Sequence, residues 1–135
     1  MAHWLFKQEP SCYGFENLVK DGSTKWDGVA NATAQKNLRN TKKGDKVFFY
    51  HTGDDKAVVG IMEVASDPEP DPADETGKQV FVTVKPVKKL KNPVTLAAIK
   101  AEEDFASWEL VRISRLSVMP VSDVIWRKII AMSEG

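Results

Sequence analysis

Apolar positions along this chain fall in short runs, and the period changes from two to about 3.6 and back several times. His3 to Lys7 reads as a strand, with Trp4 and Phe6 on one face and Leu5 on the other. Pro10 has no N–H to give a ladder and ends it. Ser11 predicts the cap of a helix from Cys12 to Lys20, with Phe15, Leu18 and Val19 inward and Gly22 beyond its end. Asn31 predicts the cap of a second helix, Ala32 to Arg39, with Ala34 and Leu38 inward. Lys46 to Thr52 contains Val47, Phe48, Phe49 and Tyr50 in a row, the pattern of a strand buried on both faces. Gly53-Asp54-Asp55-Lys56 predicts a hairpin turn into Ala57 to Ala65, with Gly60 a candidate bulge. Gln79 to Lys89 alternates, with Val80, Val82 and Val84 on one face, and predicts a strand bent near Pro86. Thr95 predicts the cap of a helix through Leu96 and Ile99. Leu110 to Ile113 reads as a strand and Ser117 to Val121 as an extended segment. Ser122 or Asp123 predicts the cap of a last helix through Ile125, Trp126, Ile129 and Met132. Ser66 to Gly77, with three prolines and many acids, reads as a surface loop.

Five or six strands with short helices between them, joined by several long connections, favour a compact, partly closed barrel flanked by helices. At 135 residues one domain over 1–135 is expected. No apolar run approaches the roughly 18 residues of a transmembrane helix. The N-terminus lacks the charged head and apolar run of a signal peptide. Cys12 is the single cysteine, so no internal disulfide and no thiolate cluster are expected, and a reducing, cytoplasmic setting fits.

Lysine plus arginine and aspartate plus glutamate each number 19, for a formal net charge of zero. That excludes a protein that holds long nucleic acid by bulk electrostatics. The charges are nevertheless segregated. Glu63, Asp67, Glu69, Asp71, Asp74 and Glu75 form an acidic stretch, and Lys85, Lys88, Lys89, Lys91 and Lys100 a basic one. The basic stretch either touches phosphates or protects a strand edge from aggregation.

No dinucleotide fingerprint, phosphate loop, zinc-protease motif or nucleophile elbow is present. His3 and His51 lie far apart, and no spacing suggests a metal or implies a cofactor. What remains is an aromatic on a turn, Trp26 followed by Asp27-Gly28, placed between polar residues and a helix cap at Asn31. Trp26 is expected at the end of a loop, outside any regular element. It either stacks a flat ligand or packs into the core. Lys7 and Glu9 follow the first strand, Tyr50 and His51 finish the central one, and Ser114-Arg115-Leu116-Ser117 interrupts two apolar segments. If these converge with Trp26 and Asn31, they form a small aromatic pocket with fixed donors and acceptors, suited to a flat polar heterocycle. A nucleobase would enter it from a single strand or after flipping out of a duplex. Each residue also has a plainer reading: Lys7 with Glu9 as a surface pair, His51 as a turn residue, Arg115 as a structural bridge, and Tyr50 as core.

Lys7-x-Glu9-Pro10, Trp26-Asp27-Gly28-Val29-x-Asn31, Gly44-Asp45 through Phe49-Tyr50-His51, Val59-Gly60-Ile61-x-Glu63-Val64 and Ser114-Arg115-Leu116-Ser117-Val118 follow one another in this order. Together they resemble the EVE domain, the family of thymocyte nuclear protein and its bacterial relatives, over nearly the whole chain. The resemblance implies an α+β fold, a PUA-like mixed β-barrel of five to six strands flanked by short helices, related to the YTH domains. It also implies a binding module, not an enzyme, that reads a modified base in DNA or RNA. Trp26 falls where an aromatic wall would stand and Asn31 where a base-edge contact is expected. Ala30 stands where many relatives carry arginine.

The resulting expectation is a monomer that takes one modified base. Trp26 stacks on it, while Asn31 and the backbone near Gly28 and Val29 read its edge. Tyr50 or His51 closes another wall. Lys7, Glu9 and Ser117 line the pocket by their place in the motifs. Arg115, Lys88 and Lys89 hold flanking phosphates. Two other classes stay open. One is a hydrolase of a modified base or nucleoside, with Lys7 and Glu9 as an acid–base pair if Lys7 is desolvated. The other is a protein-interaction domain.

Overall fold

A computed structural model describes residues 2–135. Seven strands lie in chain order: β1 (His3–Gln8), β2 (Thr24–Trp26), β3 (Lys46–His51), β4 (Ala57–Val64), β5 (Glu69–Pro70), β6 (Val80–Thr95) and β7 (Val118–Val121). Between them run α1 (Pro10–Tyr13), α2 (Phe15–Asp21), α3 (Ala32–Arg39), α4 (Leu96–Lys100) and α5 (Glu109–Arg112), and α6 (Asp123–Glu134) follows β7. The sheet order is β2-β6-β4-β3-β1-β7, with β5 paired to β6. β1 and β3 run parallel, from His3 opposite Lys46 to Gln8 opposite His51. The other pairings are antiparallel, so the sheet is mixed.

The sheet is strongly curled. β2 and β1 are separated by three strands in the sheet order, which in a flat sheet puts them about 19 Å apart at ~4.8 Å per step. Yet the rings of Trp26 on β2 and Phe6 on β1 lie 5.4 Å apart. The face carrying Phe6, Gln8 and Phe49 is therefore concave. Alternation sends Leu5, Lys7, Phe48 and Tyr50 to the convex face. There the α6 indole Trp126 stacks on Phe48 at 3.8 Å and on His3 at 4.3 Å.

Helix α3 bridges the two sides of the half-barrel. Asn31 caps it, accepting from the Ala34 N–H at 2.9 Å. Buried Gln35 exchanges hydrogen bonds with the Val80 backbone and donates to the Val29 carbonyl at 2.6 Å. Two residues on, Asn37 donates to the Val118 carbonyl of β7 at 2.8 Å. The helix thus fastens the β6 side to the β7 edge.

Several sequence expectations are corrected. The helix predicted over Cys12 to Lys20 is two, because extended Gly14 separates α1 from α2. The segment predicted as a strand over Leu110 to Ile113 is helical through Arg112, with Ile113 as the cap: its apolar run is too short for the period to discriminate, and Leu110 alone is buried in α5. Trp26 ends a strand instead of standing on a loop, pairing with Val82. β6 runs on past Lys89 to Thr95, and its pairing with β4 shifts register near Pro86 and near Gly60.

Candidate nucleobase site

Two cavities flank the end of β1, one on each face. The concave one has a volume of about 190 Å³ and is lined by Gln8, Tyr13, Thr24, Lys25, Trp26 and Asp27. The curl of the sheet creates it, because only curling brings Gln8 of β1 beside the edge strand β2. Trp26 is 4% exposed. Its ring meets Phe49 edge-to-face at 5.4 Å and leans on Phe6. It is therefore a wall fixed by the core, with no freedom to swing. Around it stand a side-chain amide, a phenol, a hydroxyl and a carboxylate. The Tyr13 hydroxyl donates to Asp21 at 2.8 Å. Desolvation and that bond raise its pKa.

The convex cavity, about 290 Å³, is lined by Lys7, Tyr50, Thr52, Gly53, Lys56, Leu96, Lys100, Leu110, Val111 and Ser114. Lys7 and Tyr50 are register partners across the parallel β1–β3 ladder. The Lys7 ammonium donates to the Ser114 carbonyl at 3.0 Å and lies 5.6 Å from the centre of the Tyr50 ring. Desolvation lowers its pKa and raises that of Tyr50.

The residues expected to converge are thus divided. Trp26 lines the concave cavity, and Lys7 and Tyr50 line the convex one. Asn31, Gly28 and Val29 lie between β2 and α3. The Asn31 side-chain oxygen is engaged by the helix cap and the Val29 carbonyl by Gln35, while Gly28 takes a left-handed turn at φ +70°. His51 accepts at Nε2 from the Phe15 N–H. The Glu9 carboxylate accepts from Thr52 and lies so close to Gly53 that a Cβ there would meet it at 2.7 Å. The Ser117 carbonyl accepts from the Lys7 N–H at 2.9 Å. Arg115 is exposed and makes no ion pair among the described residues, and the same holds for Lys88. Lys89 pairs with Glu16 at 3.0 Å. Gln8, Tyr13 and Thr24 were not singled out from the sequence, because nothing local signals that distant strands meet.

Among the described residues no group of histidine, cysteine, aspartate and glutamate could hold a metal ion, and no helix is long and apolar enough to cross a membrane. The exposed large hydrophobic residues, Val19, Val87, Ile113 and Val124, are scattered over four parts of the chain.

A curled mixed sheet with short helices on both faces defines a PUA-like domain. The chain matches the EVE domain model over residues 2–132 and belongs to that family. A Rhodopseudomonas palustris protein solved by NMR is 41% identical and superposes with a TM-score of 0.94, covering 99% of this chain and 94% of its own. Human thymocyte nuclear protein 1, crystallised in complex with DNA containing 5-methylcytosine, is 25% identical with a TM-score of 0.91, covering 100% and 99% of the two chains. A YTH domain of Zygosaccharomyces rouxii, in complex with N6-methyladenosine RNA, shares the fold at 14% identity and a TM-score of 0.59, covering 98% and 86%.

Proposed function

We propose that this protein binds a single modified nucleobase in DNA or RNA, and that the base enters the concave cavity against Trp26. The observation that carries the reading is the whole-length likeness to a human relative bound to DNA containing 5-methylcytosine. The cavity supports it chemically. An immobile aromatic wall gives stacking without an entropy cost of ordering. Gln8, Thr24 and Asp27 offer donors and acceptors to a ring edge. The Asn31 amide nitrogen and the backbone at Gly28 and Val29 contact the base from the α3 side. Arg115 and Lys88 take flanking phosphates.

The test is a fluorescence-anisotropy titration with labelled single-stranded and duplex oligonucleotides. They carry one 5-methylcytosine, one N6-methyladenine or the plain base. Tighter binding of one modified strand, with the preference lost in Gln8→Ala, is the expected result. Equal affinity for plain and modified strands would overturn the reading.

One observation favours a hydrolase instead: Lys7 is desolvated, as an acid–base role would require. Release of free base or altered nucleoside from a nucleoside panel, abolished in Lys7→Met, would establish that alternative.

A further inference from the structure

The convex cavity is cationic, partly apolar and separate from the wall formed by Trp26. Lys7, Lys56 and Lys100 line it, and no carboxylate does. Lys7 is half-buried, and the only hydrogen bond of its ammonium among the described residues is to a neutral carbonyl, Ser114 at 3.0 Å. Lys56 and Lys100 are exposed and form no ion pair among the described residues. Three cationic stems therefore border one space, and none is in an ion pair among the described residues. The neighbouring carboxylates are Asp54 and Asp55, which line the adjoining cavity with Lys56 and Lys100, and Glu9, which lies against Gly53.

The backbone adds a second observation. Lys56 is the single non-glycine residue at positive φ among the described residues, at +40°. That conformation is unfavourable for a side chain with a Cβ. It is held by the turn and by the Leu96 N–H, which donates to the Lys56 carbonyl at 2.7 Å. The strained position fixes where the lysine stem leaves the backbone, at the rim of the cavity.

The remaining lining divides by chemistry. Tyr50, Thr52 and Gly53 supply neutral hydrogen-bonding groups on the β3 side. Leu96, Leu110 and Val111 form an apolar wall from α4 and α5. A phosphate monoester carries about −1.5 to −2 charges near neutral pH and three free acceptor oxygens, and a backbone phosphodiester carries one charge shared by two free oxygens; either suits ammonium donors.

We propose that this cavity is a second ligand site, which takes a phosphate ester with its phosphoryl group among Lys7, Lys56 and Lys100 and its organic body against Leu96, Leu110 and Val111. The ester is either a free nucleoside monophosphate or a backbone phosphate of a nucleic acid strand. The proposal does not depend on base reading at Trp26.

Amide shifts of the ¹⁵N-labelled protein separate the possibilities. The probes are deoxycytidine 5′-monophosphate, deoxycytidine, and a short abasic oligonucleotide that has phosphodiesters and no bases. The expected result is saturable shifts at Thr52, Gly53, Lys56 and Val111 with the monophosphate or the abasic strand, and none there with deoxycytidine. Whichever of the two binds more tightly identifies the source. The exposed double variant Lys56→Gln, Lys100→Gln should bind on the order of ten-fold more weakly, as loss of charge-assisted hydrogen bonds implies. Gln8→Ala should leave these shifts unchanged. Absence of shifts at these amides with both phosphate probes, or identical titrations of wild type and double variant, would overturn the proposal. Failure of base reading alone would show instead at Gln8 and Asp27, with modified and plain bases.

Discussion

The imidazole Nε2 of His51 accepts a hydrogen bond from the backbone N–H of Phe15 at 3.0 Å. Accepting there places the ring proton on Nδ1, which faces the Asp55 carboxylate at 3.0 Å. A histidine at the end of β3 thereby supplies the start of α2 with a partner for one of its free N–H groups. His51→Phe keeps the ring and removes the acceptor. It should cost about 1–3 kcal/mol, read as a lower urea midpoint with an unchanged slope.

Gly60 is required by the Phe15 ring. A Cβ at position 60 would lie 2.5 Å from Phe15 Cε1, and Phe15 is 2% exposed and packed edge-on against Phe49 at 5.6 Å. Gly60→Ala must displace a core aromatic. A loss of about 1–3 kcal/mol is expected, measurable by thermal or denaturant unfolding. The double variant Gly60→Ala, Phe15→Leu should recover part of it.

Trp26 belongs to the core as well as to the cavity. Trp26→Ala should destabilise the fold by about 3–5 kcal/mol, because it removes a ring held between Phe6 and Phe49. Denaturant unfolding of this variant should show that loss whether or not nucleic acid is present. Gln8→Ala, at a half-buried position on the same wall, should change stability much less and is the cleaner probe of binding.

Glu63 lies between two lysines, with Lys46 bonded to one oxygen and Lys85 at 3.1 Å from the other. These hydrogen bonds hold its carboxyl below the usual glutamate range. A depressed folded-state pKa means the stabilisation is present above the unfolded value, about 4.3, and is lost as pH falls through the folded one. Wild-type stability should therefore decline below about pH 4.5 more steeply than that of Glu63→Gln. Unfolding curves between neutral pH and about pH 3 would show it.

Affinity for nucleic acid should respond weakly to salt. With a net charge of zero and few unpaired cations near either cavity, the logarithm of the association constant should fall with the logarithm of salt at a slope on the order of −2 to −3. Titration of one oligonucleotide at several ionic strengths gives the slope directly. A slope near −8 or beyond would mean a footprint far longer than one base and its neighbours.

Much of the fold was legible because the signals are local. Asn31, Thr95 and Ser122 each accept from a backbone N–H three residues on, and cap chemistry is written in those side chains. The run Val47 to Tyr50 is buried throughout, as its lack of alternation implies. β2 was missed because three residues are too few to show a period. α5 was misread because Leu110, Val111 and Ile113 fit either element. The division of the site into two cavities was beyond reach for a different reason. Lys7 and Gln8 are neighbours in sequence, yet alternation sends them to opposite faces, and the curl brings Trp26 to only one of them. Lys100 stands in the basic stretch and Lys56 in the hairpin turn, but their convergence is not written in the sequence, because it depends on how α4 packs against the hairpin.

The pairing of β1 with both β3 and β7 has a kinetic consequence. His3 to Phe6 pair with Val118 to Val121, and His3 also faces Asp123 at a separation of 120 residues. This strand, next to the β7 edge, is completed only by contacts from the far end of the chain. Closing so large a loop delays the gain from its contacts, and such topologies refold in about milliseconds to seconds instead of microseconds. Until β7 and α6 dock, one edge of β1 and the rings of His3 and Phe48 stand bare. This half-formed wall, more than any native surface, is where the protein is open to sticking to a second copy of itself.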